Sequence, residues 1–363
     1  MRIATYNVEN LFSRVRAMTG DDPAKTSEVL ADVATLQTLI EKPLYSDDDK
    51  LRILAILKKH KALSETGPFF LQTTRRRLVS TTGKLVATGR GDWVGWIEWR
   101  REVVNAAAIE NTGRIISEIK ADILCFVEVE NRPVLRRFNE TILKAAPYPH
   151  AMVIDGNDER GIDVGIASRF PICDMRSHVD DPDPVTKRPV FSRDCAEFQI
   201  DLLGTKSLWV LINHFKSRGY GSKAANDAKR KRQSERVAEI LKRFDLKKQW
   251  VVVAGDLNEL PNSASLTPLL QHAGLRNVFD KLPASADRWT HRDDATPSKN
   301  EQIDYLLVSE ALWPRLKEVQ IERRGIWSST KKMREKYPPL ASVTGDTTAA
   351  SDHAAVWAEF DLP

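Results

Sequence analysis

The sequence predicts an α+β fold built on packed sheets, and three observations carry that expectation. Short β-branched runs recur from the middle of the chain to its end, and strand-like segments outnumber helical ones. The strands also lack the regular alternation with helices that a doubly wound parallel sheet requires.

Taken in order, the chain opens on the apolar strand Arg2-Ile-Ala-Thr-Tyr-Asn-Val8. Residues 12–99 differ in pattern from the rest of the chain. Apolar residues at helical spacing over 29–40 and 51–63 predict two helices, and residues 69–94, rich in Thr, Arg and Gly, predict a hairpin-like excursion. A helix is expected over 101–120, with Val104, Ala108, Ile115 and Ile119 inward, feeding the strand Asp122-Ile-Leu-Cys-Phe-Val127. Further strands are expected over 151–155, 163–167, 195–203, 207–215, 250–254, 303–308 and 355–360. Between them, residues 224–244 form a helix with Val237, Ile240 and Leu241 on one face, and a shorter helix lies near 265–273. Residues 326–348, rich in Lys, Ser, Thr and Pro, read as a loop leading to Asp352. There is no internal repeat and no low-complexity tract.

At 363 residues, 42% hydrophobic and 29% charged, the chain is long enough for a large core and reads as globular. A net charge of +5, from 55 basic against 50 acidic residues, permits a polyanionic partner without demanding one. Cys125, Cys173 and Cys195 lack metal-ligand spacing, which argues against a zinc site or disulfide framework and suits a reducing compartment. No run is long and apolar enough for a membrane span. With a strand beginning directly after Met1, the expected location is the cytoplasm, or the exterior if a leader has been removed.

Several strand ends carry residues that bind metal or phosphate: Tyr6-Asn-Val-Glu-Asn10, Glu128-Val-Glu-Asn131, Asn213-His-Phe-Lys-Ser217, Gly255-Asp-Leu-Asn258, Ile303-Asp-Tyr305 and Ser351-Asp-His353. Each alone has a plain structural explanation: Asn7 and Asn258 in turns, Asp256 as a cap, His214 as a core histidine. Together they are hard to read as accidents, because carboxylates gathered in one place repel, and a divalent cation relieves that repulsion.

Thr5-Tyr-Asn-Val-Glu-Asn-Leu11, Val127-Glu-Val-Glu130 and the four later motifs resemble, in type and in order, the signature of the endonuclease/exonuclease/phosphatase superfamily, in the style of its bacterial nucleases. The resemblance covers residues 1–10 and 102–363. It implies a four-layer α/β/β/α sandwich with two mixed, largely antiparallel sheets, an active site at one end of the sheets, and a single domain over 1–363. Residues 12–99 depart from the pattern and are expected to be a largely helical insertion within it.

Beside the resemblance, the chemistry assigns roles. Glu128 is the leading metal ligand, since Mg²⁺ (with Mn²⁺ as substitute) takes hard oxygens and few protein carboxylates; Asn7 and Asp352 complete or orient that shell. Asp256 is the candidate general base, with Asn258 holding the water or a phosphate oxygen. His353 donates to a non-bridging phosphate oxygen, with Asp304 fixing its tautomer and charge, and His214 is a second donor. Arg193 and Lys216 are candidate phosphate contacts, Arg193 being equally readable as a salt bridge to Asp194. Asp163 is placed behind His214 by motif position alone.

The expected activity is therefore divalent-metal-dependent phosphodiester hydrolysis, with a nucleic acid, DNA or RNA, as substrate. Lys216, Arg218, Lys223 and Lys229-Arg-Lys-Arg232 offer a basic patch, against its reading as a solvated helix face. Arg75-Arg-Arg77 with Trp93, Trp96 and Trp99 offers a stacking platform, against a small core for the insertion. The alternative is an enzyme of lipid headgroups or inositol phosphates, for which Phe69-Phe-Leu71 and the tryptophans are the available apolar hairpin. A non-catalytic binding module ranks last, because every expected position holds a competent residue. The sequence names no protein partner.

Overall fold

The computed structural model describes residues 1–18, 23–202, 204, 206–218, 222–292 and 300–362; Leu203, the expected end of one strand, lies outside them. The chain divides into two compact units. One comprises Met1–Phe12, Val104–Arg218 and Lys223–Pro363, the other Ser13–Val103 with Gly219–Ser222.

Among the described residues, twelve strands make the two sheets of the first unit: β1 (Arg2–Asn7), β2 (Ile123–Val129), β3 (His150–Ile154), β4 (Asp163–Ser168), β5 (Ile172–Arg176), β6 (Cys195–Asp201), β7 (Ser207–His214), β8 (Trp250–Asp256), β9 (Leu275–Asn277), β10 (Asp304–Ser309), β11 (Leu316–Glu322) and β12 (Ala355–Phe360). One sheet runs β11-β12-β1-β2-β4-β3 and the other β9-β10-β8-β7-β6-β5. Each holds one parallel pair, β1 with β2 and β7 with β8, in an otherwise antiparallel ladder. Alternate residues of the central strands face a shared core, where Ile3, Ile123 and Ile166 of one sheet pack with Phe198, Val210, Val252 and Val308 of the other.

The outer faces are covered by helices. Helix α1 (Ala106–Ile119) sets Ile115, Ile116 and Ile119 against the first sheet, beside α2 (Arg132–Thr141) with Leu135 and Phe138. Helix α3 (Lys223–Leu241) sets Val237, Ile240 and Leu241 against the second. These four layers are the α+β sandwich that the sequence predicted.

Three of the local differences have physical causes. The helix expected from residue 101 starts at Ala106, because Asn105 caps it by accepting from the Ala107 N–H at 2.8 Å, while Arg101–Val103 pairs as a strand with Ser13–Val15. Helix α2 escaped the apolar pattern because it is short and polar; its signal was the Asn131 cap followed by Pro133. Strands β5 and β11 lie at sheet edges, so most of their residues are not buried and they lack an apolar run. The expected loop 326–348 contains one short helix, Lys331–Lys336, and a single tight turn at Asp346–Thr348.

The second unit has helices at Pro23–Ile40 and Asp47–Lys59 and a hairpin of Phe69–Arg75 with Val94–Trp99. Its own core gathers Val33, Leu36, Ile53, Leu57, Phe69, Trp93 and Trp99. Ser46 and Asp49 form a capping box at the second helix. Among the described residues no helix is long and apolar enough to cross a membrane.

Candidate active site

Strand register assembles the first half of the site. In the second sheet His214 is the ladder partner of Asp256, and Asp256 that of Asp304, so three ionisable side chains lie abreast on three neighbouring strands. Gly255 makes this possible. It has a φ of +127°, and a Cβ there would stand 1.9 Å from the Asn213 carbonyl oxygen.

The first sheet supplies the other half. Asn7 ends β1, and its side-chain amide donates to Asp256 Oδ2 at 3.2 Å. Glu128 sits where the β2–β4 register shifts, with a left-handed φ of 62°, a bulge that redirects its side chain. Its Oε1 lies 3.7 Å from His214 Nε2, which is also 3.7 Å from Asp256 Oδ2. Ser351 ties down the last segment by donating to the Asn7 carbonyl at 2.8 Å and accepting from the His353 N–H at 3.0 Å. His353 thereby places Nδ1 2.8 Å from Asp304 Oδ2 and Nε2 3.4 Å from Asn7 Nδ2.

Asp256 is the hub. Beyond Asn7, it accepts from the Asn258 backbone N–H at 2.8 Å and from the Asn258 side-chain amide at 3.1 Å. Asn258, at a left-handed φ of 54°, also donates to the Phe215 carbonyl at 3.2 Å. Burial, then the Asp304 carboxylate, push the Asp256 pKa up. Burial and Asp352 do the same to Glu128. Burial opposes charge on both histidines, but with opposite outcomes. For His353 the carboxylates of Asp304, Asp352 and Asp256 outweigh it and raise the pKa well above the usual range, whereas for His214 the nearby Arg193 adds to it and the imidazole is neutral.

The structure thus brings Asn7, Glu128, His214, Asp256, Asn258, Asp304, Asp352 and His353 to one end of the paired sheets. A buried base candidate, two imidazoles of different charge, and carboxylates able to share a cation can polarise a phosphoester and activate water. The sequence pattern of the endonuclease/exonuclease/phosphatase family matches residues 104–353. The chain belongs to that family.

Solved structures are similar to this chain at low identity. A family protein from Leptotrichia buccalis matches with a TM-score of 0.50 and 15% identity, over 70% of this chain and 93% of its own. An AP endonuclease from Archaeoglobus fulgidus matches at 0.48 and 18%, over 71% and 98%, and the 3′-5′ exonuclease NExo from Neisseria meningitidis at 0.48 and 17%, over 70% and 95%. No curated protein sequence matches the chain.

Several residues stand differently from their expected places. Arg193 is buried and its ion-pair partner is Asp158, at 3.1 Å, not Asp194; Arg160 holds the same carboxylate at 2.5 Å. Asp194 instead accepts the His178 backbone N–H at 2.6 Å. Asp163 accepts from the Gly156 N–H at 2.9 Å and shows no hydrogen bond to His214 among the described residues. Lys216 lies beside the cationic pair, and burial together with Arg193 and Arg160 lowers its pKa to about 7.

The basic helix is neither bare patch nor solvated face throughout. Arg230 is buried between Asp227 and Glu259, Arg232 pairs with Asp183, Lys223 with Asp227, and Arg218 with Glu301. In the second unit, Trp93 and Trp99 are core residues, leaving Trp96 as the exposed tryptophan at 46%.

Two contributors near the site received no role from the sequence: Glu130, which was named only within a motif, and His291. Glu130 accepts the Leu11 and Phe12 N–H groups at 2.9 and 2.7 Å, fixing the chain as it leaves β1. His291, in the two-residue strand His291–Arg292, packs its ring 4.7 Å from that of His353. A lone histidine in Trp289-Thr-His-Arg292 gives no periodic signal.

Proposed function

We propose that the chain is a divalent-metal-dependent phosphodiester hydrolase, and that it acts as a nuclease on DNA or RNA by in-line attack of an activated water. The single observation that supports this most strongly is Asp256, a buried carboxylate receiving Asn7 and Asn258 amides and flanked by His214, Asp304 and His353.

In this reading Asp256 takes the proton of the attacking water, and its raised pKa matches it to neutral pH, where a base works best. Asn258 and Asn7 orient the carboxylate and the water. His353, charged through Asp304, donates to a non-bridging phosphate oxygen from Nε2, and neutral His214 adds a second donor. Glu128, Asp352 and Asn7 would hold Mg²⁺, with Mn²⁺ as substitute; their hard oxygens fit such an ion, and the upward push of Asp352 on Glu128 is the repulsion it would relieve. When bound, the ion supplies positive charge to the phosphate. Lys216, beside Arg193 and Arg160 with a pKa lowered to about 7, would contact a neighbouring phosphate, whose negative charge favours the protonated amine.

The lipid-directed alternative is weakened by the second unit, where Phe69, Trp93 and Trp99 are buried and Leu71 is partly exposed, leaving Val94 and Trp96 as the exposed large apolar side chains of the hairpin. The deciding experiment is incubation with plasmid, single-stranded DNA, RNA, bis-p-nitrophenyl phosphate and inositol phosphates under Mg²⁺ or Mn²⁺. Cleavage of a nucleic acid, abolished by EDTA and restored by Mg²⁺, is expected. Turnover of inositol phosphates alone would exclude the nuclease reading, and full activity in exhaustively chelated buffer would exclude the metal.

A further inference from the structure

His291 takes no part in the proposed hydrolysis, yet the fold holds it firmly against the site. A backbone bridge pairs His291 with His353, the Arg292 N–H donates to the Asp352 carbonyl at 3.2 Å, and the Ala354 N–H donates to the Thr290 carbonyl at 2.6 Å. Two imidazoles and a carboxylate are thereby set side by side. His291 Nε2 lies 3.5 Å from Asp352 Oδ2, His353 Nε2 lies 3.9 Å from Asp352 Oδ1, and one ligand atom from each of the three residues falls within 4.8 Å of the others.

We propose that His291, Asp352 and His353 form a second cation site, selective for an imidazole-preferring transition ion of the Zn²⁺ class, which borders the oxygen-lined Mg²⁺ site around Glu128 and shares Asp352 with it. Three features support it. First, two histidines and one carboxylate are a donor set that holds Zn²⁺ with a position left open, while Mg²⁺ avoids nitrogen ligands. Second, Zn–N bonds of about 2.1 Å place neighbouring tetrahedral donors about 3.4 Å apart, so the observed spacings need only small side-chain shifts. Third, the Nδ1 of His353 is committed to Asp304, at 2.8 Å, which turns Nε2 toward the cluster; a carboxylate behind a ligating imidazole is the usual outer support of such a metal. His353 is itself buried.

The consequence for turnover rests on the proposed function. An ion held by His353 Nε2 displaces to solvent the proton that this nitrogen would offer to phosphate, so Zn²⁺ inhibits in the presence of saturating Mg²⁺.

The test uses Co²⁺, whose visible absorption reports nitrogen ligation, and Zn²⁺ as its competitor, both added to the full-length protein in millimolar Mg²⁺. The wild type is expected to bind one Co²⁺, displaceable by Zn²⁺. His291→Gln, which keeps a polar side chain of similar length, is expected to weaken Co²⁺ binding at least tenfold while melting cooperatively near the wild-type temperature. Glu128→Gln is expected to retain the Co²⁺ spectrum. Unchanged Co²⁺ affinity in a folded His291→Gln protein overturns the site, as does loss of the spectrum in Glu128→Gln, which would place Co²⁺ at the oxygen site instead. Because these readouts need no substrate, an inactive protein that still binds Co²⁺ this way would reject the hydrolase reading and leave the cation site standing.

Discussion

Asp304 Oδ2 lies 2.8 Å from Nδ1 of His353, with Asp304 wholly buried in β10 and His353 just ahead of β12, so a contact between opposite sheets sets both the orientation and the charge of one imidazole. Burial alone would strip the proton from His353; Asp304 is the first of the carboxylates that reverse this. Asp304→Asn removes the negative charge but leaves a polar group. The expected result is a fall of about 10²-fold in kcat. The sign of the pH effect follows from the raised pKa: the charged form persists until pH climbs through that value, so lowering it must move the alkaline limb of the kcat/KM profile to lower pH. An unchanged alkaline limb would detach His353 from the phosphate.

Asp256 acts at the opposite limb. Burial and Asp304 raise its pKa, and a base must be ionised to accept a proton, so activity should rise with pH through a value above the ordinary carboxylate range of about 4. Asp256→Asn is expected to cut kcat by about 10²–10⁴-fold with little change in melting temperature. Near-normal turnover in the folded variant removes Asp256 from the reaction.

Much of this site was legible because its residues sit at strand ends, where an apolar run stops on a polar residue and the sequence exposes the transition. Asn7, Glu128, His214, Asp256 and Asp304 all lie at or next to a strand end, and the register of neighbouring strands then brings His214, Asp256 and Asp304 abreast. What was hidden depends on contacts between segments distant in the chain. Arg193 reads as pairing with adjacent Asp194, yet Asp158 claims it from 35 residues upstream. His291 lies in a strand of two residues, too short for periodicity to reveal, and only its bridge to His353 gives it meaning. Edge strands β5 and β11 were lost for a related reason, since a strand covered on few sides needs no apolar run.

Gly255 tests whether the site depends on close backbone approach. With φ at +127° and the Asn213 carbonyl 1.9 Å from any added Cβ, Gly255→Ala must both strain its own backbone and push apart the parallel β7–β8 pair. Destabilisation of about 2–4 kcal/mol is expected in urea unfolding, with activity reduced even where the protein remains folded, because His214 and Asp256 share that ladder. A loss below about 0.5 kcal/mol would show that the strands separate freely.

Away from the site, stability should depend on pH through His178. It lies between two carboxylates, with Nε2 2.5 Å from Glu197 Oε1 and Nδ1 2.7 Å from Asp181 Oδ2, while Arg243 also pairs with Glu197 and Arg236 with Asp181. Asp194 completes the surroundings by accepting the His178 backbone N–H. Burial opposes charge on this histidine, but Glu197 and Asp181 prevail and its pKa is raised. A group whose pKa is higher in the folded state stabilises most below its unfolded value of about 6.5, and that contribution is lost as pH rises through the folded value. His178→Gln should therefore cost about 3 kcal/mol at about pH 5.5, since Glu197 is fully buried and loses one of its two cationic partners. The gap between wild type and variant should narrow at about pH 8.5, where the wild-type imidazole approaches neutrality. Urea unfolding of both proteins at the two pH values measures this directly, and an equal gap at both would mean that His178 holds the loop before β6 by shape and hydrogen bonding, with no contribution from its charge.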